Sequence, residues 1–231
     1  MPWTFEVFRY SMAAFDFTVV LPYANILLSG AFFTLILWGA SSLLSILGGI
    51  PLAVANIAEN PVLRNTSGFF LWLFRGTPLL LQLFLIYFGL PQVGIDFPPI
   101  VAGILGLSIH YAAYNSDVMR AGIVAMDPGQ REASRSLGLS HLQTLRKVLI
   151  PQALRNVTPA LGNNLIALLK ESALVSIITV PELTLSAQRA ISETFRPFEF
   201  YIVVGIIYYV INYYVLETML RRIEMKTALS R

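Results

Sequence analysis

Asp127–Pro128–Gly129–Gln130–Arg131–Glu132–Ala133–Ser134–Arg135–Ser136–Leu137–Gly138, running on to Ile150–Pro151, is the longest polar interruption in a chain otherwise built of membrane-length apolar runs. It carries its own start, turn and restart signals. Asp127 can cap a helix whose first residue is Pro128, with Gln130 at the third helical position, a variant of the capping box. A short helix over 128–137 then ends at Gly138, which suits a left-handed position just past a helix. Ser140 followed by Gln143 opens a second helix through Leu149, and Pro151 marks the start of the next apolar run. Ala133, Ser134 and Gly138 are small enough to let another backbone approach closely, while Arg131 and Arg135 can pair with acidic groups. Two readings stand side by side: a surface for a soluble partner to grip, or a solvated amphipathic connection. Ser136–Leu137–Gly138–Leu139–Ser140 superficially fits a DNA-reading helix-turn-helix, but membrane spans on both sides argue against it.

Composition bounds the rest. Of 231 residues, 56% are hydrophobic and 13% charged, and the mean hydropathy is +0.67. Soluble domains carry about a quarter charged residues, so lipid is the solvent for most of this surface. There is no cysteine, and two histidines, His110 and His141, do not make a metal centre. The net charge of +3 does not imply nucleic acid. The N-terminus lacks the basic region and cleavage site of a signal peptide.

A helix needs about 20 apolar residues to cross a bilayer. The expected fold is an all-α membrane protein of one domain, residues 1–231, with about five transmembrane helices. An interfacial lead-in occupies residues 1–24. Spans are expected at about 25–56, 67–90, 98–124, 155–179 and 199–220, with the polar segment 127–151 between the third and fourth. Lys and Arg mark the cytoplasmic side. Arg131, Arg135, Arg146, Lys147 and Arg155 put segment 127–151 there, as Arg221, Arg222, Lys226 and Arg231 put the C-terminus. The loop at 91–98 has no basic residue, and in the loop at about 181–197 Arg189 and Arg196 are offset by Glu182 and Glu193. The N-terminus is therefore expected outside and the C-terminus in the cytoplasm.

The polar segment resembles the EAA loop of membrane subunits of ABC importers, in which Glu-Ala-Ala is followed by Gly and then Ile-x-x-Pro or similar. Here the matching residues are Glu132–Ala133–Ser134, Gly138 and Leu149–Ile150–Pro151. Further stretches resemble polar amino-acid permeases of the histidine, arginine and glutamine type: Arg75–Gly76–Thr77–Pro78–Leu79–Leu80 with Gln82, Ala112–Ala113–Tyr114, Pro128–Gly129–Gln130, Pro151–Gln152–Ala153, and Leu168–Leu169–Lys170–Glu171–Ser172–Ala173–Leu174. They occur in order across about residues 25–225. The resemblance implies a type I subunit of the bacterial inner membrane. A second permease subunit, identical or homologous, shares the translocation path, and a periplasmic or extracellular binding protein delivers the solute. Two cytosolic ATPases grip the loops through a coupling helix that includes Arg131, Glu132, Ala133, Ser134, Arg135 and Gly138. ATP and Mg²⁺ then belong to the ATPase, and this chain is no enzyme and holds no cofactor. It carries no Gly-x-x-x-x-Gly-Lys-Ser/Thr phosphate loop.

Polar residues inside spans face a cavity or a partner because lipid cannot solvate them. Thr77 and Gln82, Asn115 and Asp117, and Asn163, Asn164, Lys170 and Glu171 are candidates for the path. Asp117 and Arg120, three apart, can pair on one helix face. Lys170 and Glu171 are adjacent, point to different faces and need separate partners; helix–helix ties are the alternative role for all four. In permeases for cationic amino acids the position matching Asn164 is often acidic. Asparagine there suits a neutral or acidic solute, a non-binding half of a heterodimer, or a hydrogen bond between helices. His110 is expected to be an intramembrane hydrogen bonder. An ion-coupled secondary transporter would also carry mid-membrane polar residues, but normally with more spans and an inverted repeat. An intramembrane enzyme would need a catalytic motif, and none is present.

Overall fold

A computed structural model describes residues 15–218, all of whose regular structure is helical. Residues 1–14 of the expected lead-in and the basic C-terminus lie outside the described residues. Asp16 caps a 3₁₀ turn, Phe17–Tyr23, by accepting from the Thr18 amide at 2.9 Å. The Thr18 bonds hold its carboxyl below the ordinary range. This turn leads into α1, Ala24–Asn56. The other long helices are α2 (Pro61–Gly76), α4 (Pro99–Val124), α7 (Ile150–Glu171) and α9 (Pro197–Val210), with shorter α3 (Leu79–Phe84), α5 (Pro128–Ser136), α6 (His141–Thr144) and α8 (Leu183–Thr194) between them.

The fold is organised around α1 against α4. The buried face of α1 carries Thr34, Ser41, Ser45, Gly49 and Ala53, all small, most of them four apart. Opposite them α4 brings buried Ala112, Asn115 and Ser116 against Gly48 and Gly49. Lipid offers no hydrophobic drive for two helices to associate, so close backbone packing through small residues does the work. At Gly49 an added Cβ would stand 3.2 Å from both the Asn115 Cβ and the Ser116 amide nitrogen. The other face of α1 exposes Phe32, Ile36, Leu43, Leu44 and Leu47, a surface for lipid tails.

Phe17–Asn56 and His141–Ile178 are each long and apolar enough to cross a membrane, and a third candidate is bent by 105° between Pro61–Gly76 and Leu79–Val93. The expected third span corresponds to α4, whose 26 residues reach about 39 Å, and the fifth to α9 with the turn Ile211–Glu217. Three expectations change. The second span, expected as one helix over 67–90, is broken at Thr77–Pro78, because proline has no amide to continue the ladder and forces the residue before it into an extended conformation; Thr77 has φ −116° and ψ 143°. The fourth, expected from about 155, is continuous with the polar segment from His141. A π turn, Leu145–Leu149, sits where the ring of Pro151 would oppose the carbonyl of Lys147, and it relieves that clash without ending the helix. The loop expected at 181–197 contains α8. Glu182, counted on sequence as a loop charge, is completely buried as its cap: it accepts from the amides of Thr184 and Leu185 and from the Tyr208 hydroxyl, each at 2.8 Å.

Helix α8 also crosses α1 closely. A Cβ on Gly30 would stand 2.5 Å from the Ser186 Oγ and 2.9 Å from the Leu183 Cα, whereas one on Gly39 would meet nothing within 4 Å. Gly30→Ala is therefore expected to destabilise the protein by about 1–3 kcal/mol through overpacking, and Gly39→Ala to be neutral or to stabilise by up to about 1 kcal/mol through helix propensity. Thermal unfolding of the two purified variants in detergent checks the opposite signs; equal shifts would refute the crossing.

Candidate functional site

Two regions matter, one at the helix ends and one at membrane depth. At the ends, α5 is closed on both sides by the expected chemistry. The Asp127 carboxylate accepts from the Gly129 amide at 2.7 Å, with Pro128 in the first turn. Gly138 has φ +76°; its amide donates to the Arg135 carbonyl at 2.9 Å, and that of Leu139 to the Ser134 carbonyl at 3.0 Å, a Schellman closure. Ser140 and Gln143 form a complete capping box at the start of α6. Underneath, Ile123, Leu145, Leu149 and Ala153 form a small core with Val54 and Ile57 at the far end of α1. Gln152 bonds Gln130 at 3.2 Å, tying the start of α7 to α5.

Of the six residues expected at the coupling surface, Arg131, Glu132, Ala133, Arg135 and Gly138 are exposed. Ser134 is buried and bonds the Gln130 carbonyl at 2.7 Å, so it faces the chain's own interior. Among the described residues neither arginine is in an ion pair, nor is Glu132. Leu137, 80% exposed, and Leu142 stand apolar beside Gly138, a signal not drawn from the sequence.

At membrane depth the structure sorts the polar candidates into separate groups. Gln82 is buried at the break in the second span. Its Nε2 donates to the Phe74 carbonyl, the Thr77 carbonyl and the Thr77 Oγ1 at 2.9–3.1 Å, and its Oε1 meets His110 Nδ1 at 3.1 Å. Thr77 in turn donates to the Leu73 carbonyl. One amide thus satisfies the carbonyls that the break leaves without helical partners, and His110 is the hydrogen bonder expected of it. Asp117 holds two guanidinium groups, Arg120 at 3.0 Å and Arg75 at 3.2 Å, on the wall of an open cavity of about 550 Å³ with Asn56, Trp72 and Tyr114. The Arg120 pair follows from the spacing; the Arg75 pair does not, because it depends on how α2 lies against α4. The Arg75 guanidinium also lies 5.7 Å from the Tyr114 ring centroid.

A third group links three helices. Asn164 of α7 donates to Asn115 of α4 at 3.0 Å, and Asn115 donates to Ser45 of α1 at 3.0 Å. Asn163, the next residue, is exposed. Glu171 turns inward toward Tyr111, while Lys170 is exposed. No group of three or more candidate metal ligands occurs among the described residues.

Residues 45–228 match the family described as binding-protein-dependent transport system inner membrane component. The chain belongs to that family. It is thus a permease, the non-catalytic membrane component of an ABC transporter. It is 38% identical over 197 residues to the arginine transport system permease protein ArtQ of Bacillus subtilis (strain 168), covering 85% of this chain and 90% of that one. It is 39% identical over 202 residues to the probable amino-acid ABC transporter permease protein PatM of Vibrio harveyi, covering 84% and 89%. The crystal structure of an amino acid ABC transporter with histidines contains a chain that matches at a TM-score of 0.84 and 40% identity, over 92% of this permease and 99% of that chain.

The Asn115–Asn164 bond is a direct tie between helices, and such ties in membranes couple by about 0.6 kcal/mol, up to about 1.7. A double-mutant cycle with Asn115→Ala and Asn164→Ala, read by unfolding in detergent, is expected to give a coupling in that range. Additive single effects would show that the two amides do not sense each other.

Proposed function

We propose that this permease forms an amino-acid path with a second, identical or homologous permease subunit, and that cytosolic ATPases drive it through residues 127–151. A binding protein outside the membrane delivers the solute, ATP and Mg²⁺ act on the ATPase, the N-terminus lies outside and the C-terminus in the cytoplasm. The observation that carries the reading is mechanical. The exposed, doubly capped α5 is bonded to a helix that runs without interruption from His141 to Ile178. A push on α5 is thereby delivered to α7, the helix that holds Asn163, Asn164 and Lys170. Amino acids as substrates are supported by the names of the relatives, one an arginine permease and one a probable amino-acid permease.

The contact with the ATPase centres on Arg131, Glu132, Ala133, Arg135 and Gly138. A Cβ on Gly138 would point into open space, away from the chain itself. Gly138→Asp therefore places a carboxylate where a partner would sit; at φ +76° it strains the turn locally by about 1 kcal/mol and leaves the membrane fold in place. The expected result is normal insertion with ATP-driven uptake and ATPase co-purification reduced about tenfold or more, which corresponds to about 1.4 kcal/mol or more of lost contact. Wild-type uptake by this variant would remove the coupling assignment.

Asn164 is half-exposed and uses its amide nitrogen on Asn115. Its position suits recognition of a neutral or acidic solute from the wall of the path. Asn164→Glu is expected to shift preference toward lysine and arginine in a competition assay across the amino acids. An unchanged preference and rate would leave Asn164 as a helix tie only.

A further inference from the structure

Arg75, Asp117 and Arg120 carry more positive charge than their own chain balances. Arg120 donates from Nε and Nη2 to Asp117 Oδ1 at 3.3 and 3.0 Å, and Arg75 Nη1 stands 3.2 Å from Oδ2. Two guanidinium groups thus share one carboxylate, which leaves one net positive charge. Among the described residues their remaining N–H groups make no hydrogen bond or ion pair. All three side chains are partly exposed to the cavity of about 550 Å³. Two further groups on its wall, the Asn56 amide and the Tyr114 hydroxyl, can both donate. This donor set suits an anion. A transported amino acid would also need an acceptor for its ammonium, and the one carboxylate on the wall is already held twice.

The cavity sits at headgroup level. Helices α1 and α4 run in the same direction, since Gly48 meets Ala112, Gly49 meets Asn115 and Ala53 packs with Met119. Asp117 is therefore level with about residue 50 of α1. That helix has 33 residues and is about 50 Å long, against about 30 Å of hydrocarbon. Its last exposed large apolar side chain is Leu47. The charged cluster stands about one turn beyond it, where the lipid tails give way to headgroups. The cavity also opens toward lipid. Trp72 on its wall is 70% exposed, and the neighbouring Phe69 ring, 5.8 Å away between centroids, carries the apolar surface on along α2. Tryptophan is enriched at this level of a membrane.

We propose that Arg75 and Arg120 form a headgroup site for an anionic phospholipid. Their guanidinium groups take the phosphodiester, and the acyl chains run over Trp72 and Phe69. Basic pockets between spans suit such headgroups, and the planar fork of arginine matches phosphate oxygens. Asp117 is the positioning residue that holds the two forks together. The site needs only the membrane fold and not the importer reading above, because its occupant is bilayer lipid and not the solute.

The test uses the whole permease, purified with the subunits that accompany it, in phosphatidylcholine nanodiscs. These contain rising fractions of brominated phosphatidylglycerol or brominated phosphatidylcholine. Bromine quenches tryptophan on contact, and the difference between wild type and Trp72→Phe isolates the signal of Trp72. Half-quenching is expected at a mole fraction of brominated phosphatidylglycerol at least about tenfold lower than that of brominated phosphatidylcholine. Equal quenching by the two lipids would overturn the site without any charge variant, so a variant that fails to assemble leaves the test intact. Arg120→Gln keeps Arg75 paired with Asp117 but removes the net charge, and it should bring the two lipids within about twofold of each other. Arg120→Lys should retain most of the preference. A full preference in assembled Arg120→Gln would overturn the assignment. Loss of the wild-type preference on adding inorganic phosphate would give the guanidinium groups to a free anion. Its loss on adding L-arginine or L-glutamine would give them to the solute path, and either result would overturn the lipid site.

Discussion

The close seam between α1 and α4 is the constraint from which the other contacts follow. Gly49 has no room for a side chain against Asn115 and Ser116, and Ala53 is wholly buried on the same face. Because the two backbones approach this closely, Asn115 is driven into the seam, where it bonds Ser45 and turns its carbonyl to Asn164. A buried amide without partners costs one to three kcal/mol or more by order of magnitude, about the value of the hydrogen bonds it would lose. The seam therefore decides where α7 can sit. The Trp38–Leu165 bond fixes the same helix at a second level.

The same geometry joins the polar segment 127–151 firmly to the helix that reaches membrane depth. Helix α5 is closed at both ends, bonded to Gln152 and seated on the small core around Leu145 and Leu149. It is bonded to a continuous helix and not to a slack loop. The break at Thr77–Pro78 plays the contrary part. There the chain bends by 105°, and Gln82, itself held by His110, satisfies the freed carbonyls so that the bend is a fixed corner. Irregular backbone at membrane depth is tolerated only where protein or water satisfies it, and here one buried glutamine does so.

Local chemistry was legible in the sequence, and tertiary placement was not. The caps of α5 and α6, the left-handed Gly138, the Asp117–Arg120 pair and the bounds of α1 all follow from neighbours a few residues apart. The continuity of α7 was missed because Pro151 normally ends a helix, and only a π turn accommodates it. Helix α8 was missed because its charges suggested a solvated loop, whereas its capping carboxylate is buried beneath Tyr208 of α9. Ser134 was grouped with its exposed neighbours, yet the helical rotation that exposes Arg131 and Arg135 turns Ser134 inward. For the candidate site, residue types were readable from their cost in lipid, but their sorting into the Gln82 corner, the Arg75–Asp117–Arg120 cluster and the Asn115–Asn164 tie depends on contacts 5 to 70 residues apart.

That sorting separates two uses of polarity in a membrane. Gln82, His110, Asn115 and Glu182 are buried and partnered, so they hold helices in place and cannot also greet a solute without breaking what they hold. Asn163 and Lys170 are exposed and make no hydrogen bond or ion pair among the described residues, on a helix face that exposes no large apolar side chain. Satisfied polar groups build the frame. A charge left unpartnered by its own chain at this depth needs water or a counter-charge, and α7 carries that charge at the opposite end from the one bonded to α5.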